Sequence, residues 1–417
     1  MTSLRELATA ARAAARRLAS ASRADKDRAL LALARRLREE AASAESRLLV
    51  ANAEDVEAGR AAGLSDALLD RLRLDARRVL AMADAVAQVA AMDDPVGEIV
   101  GATVRPNGLL VGQVRAPLGV VAMIYEARPN VTIESFALTL KSGNAVLLRG
   151  GKEAARSNAA LAALARAALL EAALPEAALT AIPPGGRESI AELVGLTGLV
   201  DLVIPRGGEG LIRFVSEHAR VPVIQHYKGV CHLFVEATAD LDSALRVVDD
   251  AKLSRPSVCN ALECLLVDEP IAEAFLPRLR TLAARGLELR GDARAVALAG
   301  AIPAVDSDWG TEFLAAILAV RVVRGIDEAL EHVARFGSNH TEAILTRDLA
   351  LARRWQREVD ASCVVVNAST RFNDGGELGL GAEMGISTSK LHAYGPMGLV
   401  HLTTLKWFVE GSGQVRG

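Results

Sequence analysis

The sequence has few cysteines, few lysines and no long apolar segment. Its 417 residues include four cysteines, Cys231, Cys259, Cys264 and Cys363. So few thiols exclude a disulfide framework, and because no pair has the spacing of a zinc site we expect no metal. Only seven of the 48 basic residues are lysines. The many arginines therefore carry little individual information, whereas each lysine and each cysteine is informative.

Charge and hydropathy exclude two further classes of protein. A net charge of −3 lacks the positive excess that nucleic-acid binding needs. The longest apolar stretch, residues 159–174, contains Arg166 and Glu171 and predicts an Ala-rich helix, too polar to span a membrane. Hydrophobic residues make up 51% and charged residues 24%, which indicates a packed core and, at this length, two domains.

The first 23 residues contain five arginines and one acidic residue, Glu6. Such a segment resembles a mitochondrial transit peptide. The helical pattern continues past Leu30 without a break, which favours an ordinary surface helix. We therefore expect a soluble cytoplasmic protein.

The first part of the chain is predicted to be helical and then to form a β-hairpin. Apolar residues recur at three- and four-residue spacing from residue 3 to about 92. Two strands, residues 100–104 and 109–114, then flank Asn107-Gly108, a strong hairpin turn. A two-stranded ribbon outside any obvious sheet indicates an arm, residues 100–115, that packs on something else.

The remaining chain alternates strands and helices, which predicts parallel sheets covered on both faces. Glycine pairs follow two of the strands, at Gly150-Gly151 and Gly207-Gly208, where the start of a helix can receive a phosphate. The predicted strands are residues 119–125, 144–148, 199–204, 221–225, 233–236, 261–267, 318–323, 343–346 and 363–367. The predicted helices are residues 130–141, 153–174, 209–218, 241–253, 271–285, 326–336 and 348–359.

This alternation predicts two α/β domains that join near residues 226–230. The last stretch of the chain is rich in glycine from residue 375 and returns to β character near 398–405.

Cys259 is the first candidate for chemistry. It is predicted to lie on a loop between a helix and a strand, with Arg255 nearby to favour the thiolate. A small buried residue is the alternative on local context, and it describes Cys264 and Cys363, which lie inside apolar strands. Cys231 fits neither description clearly. A Cys-dependent hydrolase would also need a histidine base, which the spacing does not select from the candidates His226, His232, His340 and His392.

Several motifs together resemble one family. The sequence is similar to the gamma-glutamyl phosphate reductases of the aldehyde dehydrogenase superfamily along nearly its whole length. The motifs that carry the resemblance are residues 116–121, 125–131, 141–144, 255–260, 336–342 and 381–388. The resemblance implies an α/β fold of the aldehyde dehydrogenase type: two doubly wound domains, one Rossmann-like, and a small β oligomerisation arm. It implies that residues 1–225 are the cofactor-binding domain with the arm and that residues 226–383 are the catalytic domain with the nucleophilic cysteine. Residues 384–417 are then expected to return to the first domain and to supply a strand for oligomerisation.

The resemblance also implies the reaction. An NADP-dependent acylating aldehyde dehydrogenase of this family reduces L-glutamyl 5-phosphate to L-glutamate 5-semialdehyde plus phosphate, the second step of proline biosynthesis from glutamate. It implies that Cys259 is the nucleophile and forms a thioester. The Cys259 backbone N–H and the Asn130 side chain are the expected donors to the oxyanion.

The resemblance implies a cofactor site. Where the superfamily has Lys-Pro-Ser-Glu beside the adenosine ribose, this chain has Arg149-Gly150-Gly151-Lys152. A cation in place of the carboxylate favours NADPH over NADH, because it would attract a 2′-phosphate. Glu312 matches the residue that holds the nicotinamide ribose, and Gly207 and Gly208 are expected to contact the cofactor.

The resemblance also gives candidates for residues that contact the substrate and for partners of the protein. Arg128 and Arg371 lie in family motifs and are candidates to bind the substrate anions. His226 replaces the glutamate that activates water in hydrolytic relatives, which suits an enzyme that must preserve its thioester, and it is a further substrate candidate. We expect a homo-oligomer, and glutamate 5-kinase is a candidate partner whose contact the sequence does not decide. An acyl-CoA reductase, a Cys-dependent hydrolase and a non-catalytic scaffold remain alternatives.

Overall fold

The chain begins with five helices. The computed structural model describes residues 3–225 and 228–416. A serine or aspartate precedes each helix, and its side chain accepts a backbone N–H that the first turn leaves open. This confirms the helical character predicted for residues 3–92, but the pattern expected to run past Leu30 without a break is wrong, because one helix ends at Leu18 and the next begins at Arg23. Helices α1 to α5 cover Leu4–Leu18, Arg23–Ala42, Arg47–Ala61, Asp66–Leu72 and Ala76–Ala91.

The predicted hairpin follows. Strands β1 (Ile99–Val104) and β2 (Leu110–Pro117) pair antiparallel, with Val104 opposite Leu110. Gly108 in the turn has a φ of +83°, a left-handed conformation that glycine adopts without steric cost. The Asn-Gly signal therefore located this turn correctly.

A four-stranded parallel sheet comes next, and its strands are almost completely buried. Its elements, in chain order, are β3 (Val120–Tyr125), α6 (Asn130–Lys141), β4 (Ala145–Gly150), α7 (Ala155–Glu171), β5 (Leu179–Ala181), α8 (Arg187–Val194), β6 (Leu202–Arg206) and α9 (Glu209–His218). The strand order is β5-β4-β3-β6. The chain runs outward from β3 to β5 and returns to the other side of β3, so a crevice is expected at the carboxyl ends of β3 and β6.

The strands of this sheet differ from our predictions in two places. Residues 221–225 form no strand and contribute only one bridge, between Val203 and Val223. The edge strand next to β4 is instead the short β5, which the sequence pattern did not predict. Three residues are too few to show a period of two.

The second sheet has seven parallel strands in the order β10-β9-β11-β8-β7-β12-β13. Its elements are β7 (Cys231–Val235), α10 (Leu241–Leu253), β8 (Leu262–Asp268), α11 (Ala272–Phe275), α12 (Arg280–Ala283), β9 (Glu288–Gly291), α13 (Ala293–Ala299), β10 (Ile302–Pro303), β11 (Ile317–Val323), α14 (Gly325–Phe336), β12 (Thr341–Leu345), α15 (Leu349–Glu358) and β13 (Cys363–Val366).

The structure corrects the prediction between β8 and β11. The predicted helix over 271–285 is broken into α11, a 3₁₀ turn at Leu276–Leu279, and α12. Pro277 lacks the N–H that a continuous helix needs at this point. Strands β9 and β10 and helix α13 were not predicted.

The C-terminal segment joins the arm. After the two-residue strands β14 (Ile386–Ser387) and β15 (Gly395–Pro396), β16 (Thr403–Glu410) pairs antiparallel with β2. The β character expected near 398–405 begins later, because residues 399–402 form a 3₁₀ turn. The arm is thus a three-stranded sheet, β1-β2-β16.

The two large sheets have separate hydrophobic cores. Our division of the chain at residues 225 and 383 stays a prediction. No helix among the described residues is long and apolar enough to cross a membrane.

Candidate active site

Cys259 lies on the loop between the end of α10 and the start of β8, as predicted. Two residues near the start of β7, Gly229 and Cys231, lie against the carbonyl oxygen of Cys259. Cys231 Sγ donates a hydrogen bond to that oxygen at 3.2 Å. A Cβ at Gly229 would lie 2.0 Å from the same oxygen, so a larger residue would displace the loop. The side chain of Cys259 is partly exposed.

The pKa of the Cys259 thiol is raised to about 11, mainly because its sulfur is largely removed from water although the residue is partly exposed. The charges of Glu383 and Glu312 contribute to this rise, whereas the charge of Arg206 and a hydrogen bond from the Cys259 backbone oppose it. We expected Arg255 to favour the thiolate. Arg255 is exposed, and the cation with the largest effect on Cys259 is Arg206. At neutral pH the resting thiol is therefore protonated.

Arg206 and Arg128 lie at the carboxyl ends of neighbouring strands. Arg206 ends β6 and pairs in register with Tyr125, the last residue of β3, and Arg128 follows three residues later. Burial and the charge of Arg206 lower the pKa of Arg128, while Cys259 acts in the opposite sense. The structure thus brings Arg128, a predicted substrate residue, near Cys259. Arg206, which we did not predict, comes with it.

Asn130 is the first residue of α6 and is partly exposed. Its side-chain Nδ2 donates to Glu134 Oε1 at 2.8 Å. One of its two amide protons is thereby used, and the other is left for an oxyanion. Its role as an oxyanion donor stays a prediction.

Glu312 lies on the segment before β11 and is partly exposed. Burial raises its pKa, and a hydrogen bond from the Gly229 backbone and the charge of Lys228 oppose the shift. Gly229 also packs against Cys259. The carboxylate therefore lies beside the loop of Cys259, and its contact with the nicotinamide ribose stays a prediction.

The two predicted cofactor cations differ in their surroundings. Arg149 is buried, and its guanidinium donates to the carbonyls of Gly150, Gly185 and Gly186. Lys152 is exposed just after β4 and has no hydrogen bond or ion pair with another described residue. The Lys152 ammonium is therefore available to bind a phosphate, whereas the Arg149 guanidinium is occupied by the loop at residues 185–186.

A cavity of about 260 Å³ lies at the end of β4 and reaches Gly151, the residue before Lys152 in the chain. Its walls are mostly apolar and include Gly150, Gly151, Ala159, Ala162, Ile182 and Pro183. Its apolar walls suit a flat aromatic ring, which needs little hydrogen bonding from the walls. The residues at the end of β4 therefore fit the adenosine part of a dinucleotide.

The glycine turn after β6 already holds an anionic group. The Gly208 N–H, at the start of α9, donates to Glu126 Oε2 at 3.0 Å. A Cβ at Gly207 would lie 2.4 Å from the same oxygen. This turn therefore accepts a carboxylate of the chain itself at the helix start, where we expected Gly207 and Gly208 to meet the cofactor.

The other two substrate candidates have different outcomes. The Arg371 guanidinium donates to the side chain of Asn260, the neighbour of Cys259, so it supports the loop of Cys259. His226 lies outside the described residues. Both substrate roles stay predictions.

The second sheet also brings together residues that sequence spacing could not select. His232 of β7, Cys264 of β8 and His332 of α14 are buried, and their possible ligand atoms lie within 4.8 Å of one another. His232 Nδ1 contacts Glu342 Oε2 at 2.9 Å. Our expectation that the protein binds no metal stays a prediction.

Comparisons with known proteins give the family. The aldehyde dehydrogenase family profile matches residues 2–302. The gamma-glutamyl phosphate reductase of Sorangium cellulosum is 63% identical over 415 residues, 99% of this chain and 97% of the relative. The crystal structure of the Thermotoga maritima gamma-glutamyl phosphate reductase is 44% identical, with a TM-score of 0.96 over 99% of each chain. An acetylating aldehyde dehydrogenase of Geobacillus thermoglucosidasius, 20% identical with a TM-score of 0.71 over 99% of this chain and 97% of its own, shares the fold. The chain belongs to the aldehyde dehydrogenase family and, within it, to the gamma-glutamyl phosphate reductases.

Proposed function

We propose that the chain reduces L-glutamyl 5-phosphate with NADPH, giving L-glutamate 5-semialdehyde and phosphate, the second step of proline biosynthesis. The observation that carries the proposal is the partly exposed Cys259 on its loop, with the charges of Arg206 and Glu312 acting on it. The high identity to gamma-glutamyl phosphate reductases supports the choice of substrate.

Cys259 opens the reaction. After losing its proton, the sulfur attacks the γ-acyl carbon, a C–S bond forms, and the C–O bond to phosphate breaks with its electron pair on the phosphate oxygen. The Cys259 backbone N–H and the free amide proton of Asn130 donate to the oxyanion. Loss of one such donor slows an enzyme on the order of 10²–10³-fold.

The residues around the cavity at the end of β4 hold the cofactor. Lys152 binds the 2′-phosphate, the apolar walls take the adenine, and Glu312 accepts from the nicotinamide ribose. When bound, NADPH supplies the hydride that reduces the thioester. Cys259 then leaves as a thiolate when the C–S bond breaks, which frees the aldehyde, and the thiolate takes up a proton from water to restore the resting thiol.

The arm supports a homo-oligomer. It exposes large apolar side chains, including Ile99, Val104, Trp407 and Val409, at 59, 72, 67 and 59%. A second copy of the chain would remove this surface from water. A contact with glutamate 5-kinase and a cytoplasmic location stay predictions.

The reverse reaction tests the function. Wild-type protein should reduce NADP when glutamate semialdehyde and phosphate are both present, followed by the absorbance of the reduced cofactor. Cys259→Ser should abolish this activity and keep the fold, whereas Cys363→Ser, in β13, should retain it. Oxidation that needs coenzyme A in place of phosphate would support an acyl-CoA reductase, and activity in Cys259→Ser would overturn the mechanism.

A further inference from the structure

Two arginines come from the two sides of the crevice at β3 and β6. Arg206 ends β6, and Arg128 lies between the end of β3 and the start of α6. The backbone of Glu126 donates to the Arg206 carbonyl at 3.3 Å, which ties the two strand ends together. Ligands of doubly wound sheets bind at this reversal of strand order.

The charge of Glu134 acts on Arg128 and the charge of Arg206 acts on Glu383, but no carboxylate in the part of the chain that the structure describes pairs directly with either guanidinium. Arg128 and Arg206 are both partly buried, and neither side chain has a hydrogen bond or ion pair within residues 3–225 and 228–416. Their neighbours Arg149 and Arg371 are instead held by protein oxygens. Two like charges this near each other are costly unless an anion joins them.

The same two side chains lie near the nucleophile. Arg206 lowers the pKa of Cys259, and the charge of Cys259 in turn raises the pKa of Arg128. The C-terminal segment passes close to Arg206, since a Cβ at Gly385 would lie 3.0 Å from its Nη1. The unpaired positive charge therefore lies where the acyl group must meet the sulfur.

We propose that Arg128 and Arg206 together bind the phosphoryl group of the acyl phosphate, and inorganic phosphate in the reverse reaction. This proposal rests on the proposed function. The phosphoryl oxygen is bonded to the carbon that Cys259 attacks, so the leaving group must lie beside the thiol. Planar guanidinium groups suit phosphate because each can donate two parallel hydrogen bonds.

The pair also assists the chemical step. As the C–S bond forms and the C–O bond breaks, negative charge grows on the departing phosphate, and fixed cations stabilise this state more than the ground state. Arg206 in addition stabilises the attacking thiolate. Loss of either arginine should therefore lower kcat and raise the KM for phosphate.

The cofactor pyrophosphate is the other possible phosphate source, and the test separates the two. Arg128→Gln, Arg206→Gln and Arg206→Lys are compared with the exposed Arg353→Gln, after thermal unfolding has shown that each variant folds. The assay is phosphate-dependent oxidation of glutamate semialdehyde, and the Kd of NADP is measured separately by calorimetry. We expect each Gln variant to raise the KM for phosphate on the order of 10- to 100-fold, with the Kd of NADP changed less than twofold. Arg206→Lys should lie between Gln and wild type, because it keeps the charge and loses the paired donors.

An unchanged KM for phosphate overturns the proposal, and so does a Kd of NADP that weakens as much as the KM rises. A second readout does not depend on turnover: inorganic phosphate should slow alkylation of Cys259 by iodoacetamide in wild-type protein and not in the Gln variants. If the semialdehyde is not oxidised but this protection is seen, the proposed function fails and the phosphate site stands. If protection is equal in wild type and variants, the site itself is wrong.

Discussion

Lys252 and Glu263 form a buried ion pair that joins the two ends of the loop of Cys259. Lys252 lies in the last turn of α10 and Glu263 near the start of β8, with Nζ and Oε2 2.5 Å apart and both side chains inaccessible to water. The other carboxylate oxygen accepts the Leu314 N–H at 3.4 Å. The pair therefore links the loop of Cys259 to the segment that carries Glu312.

Removing one member of this pair should destabilise the protein. Burial raises the pKa of Glu263 to about 7, so above that pH the carboxylate is charged and neutralises Lys252. Glu263→Gln leaves a buried ammonium without its anion, and we expect a loss of about 3–5 kcal/mol in the free energy of unfolding. Urea unfolding measures this loss. Lys252→Met in the same chain should restore most of it, and Asp327→Asn, in an exposed ion pair, should cost about 1 kcal/mol or less. A stable Glu263→Gln single variant would contradict the assignment.

Burial should move the reactivity of Cys259 to alkaline pH, and Arg206 and Glu383 should shift its pH dependence in opposite directions. A pKa of about 11 instead of 9.0 makes the thiolate about 100-fold rarer at neutral pH, so alkylation should keep accelerating well into the alkaline range. Arg206→Gln removes the stabilising cation and should raise the pKa further, whereas Glu383→Gln should lower it. The rate of iodoacetamide labelling at Cys259, followed by mass spectrometry, gives both directions. Shifts of the same sign in the two variants would refute the electrostatic account.

Lys152 should determine the choice of cofactor. Lys152→Glu places a carboxylate where the 2′-phosphate would bind, so we expect kcat/KM with NADPH to fall on the order of 10- to 100-fold while that with NADH changes little. Initial rates with each cofactor measure the ratio. Arg353→Glu makes the same charge change on α15, at an exposed position, and should leave the ratio unchanged. An unaltered ratio in Lys152→Glu would place the 2′-phosphate elsewhere.

Trp407 should contribute to assembly. It lies on β16 with 67% of its surface exposed, and a charged residue there would oppose burial against a second arm. We expect Trp407→Glu to reduce the molar mass measured by light scattering and to leave the circular dichroism spectrum unchanged. Leu349→Glu, another exposed apolar residue at 63%, is the matched control on α15. Equal masses for wild type and Trp407→Glu would argue against this surface.

The sequence by itself determined the local features of this protein. The helical character of residues 3–92, the Asn107-Gly108 turn and the loop of Cys259 were all predicted correctly, because their signals lie within a few residues of the structure they specify. The family resemblance correctly implied the aldehyde dehydrogenase-like fold. Short or interrupted elements such as β5 and the helix broken at Pro277 were missed or misplaced, since too few residues carry their pattern.

Only the tertiary structure decided which charges meet. Arg206 lies 53 residues before Cys259 in the sequence, and one arginine among many has no local mark of function. The order β5-β4-β3-β6 brings Arg206 beside Arg128, and the pairing of α10 with β8 buries Lys252 against Glu263. The electrostatics of the site depend on distances through space, and those distances are set by strand order and packing, which no local pattern contains.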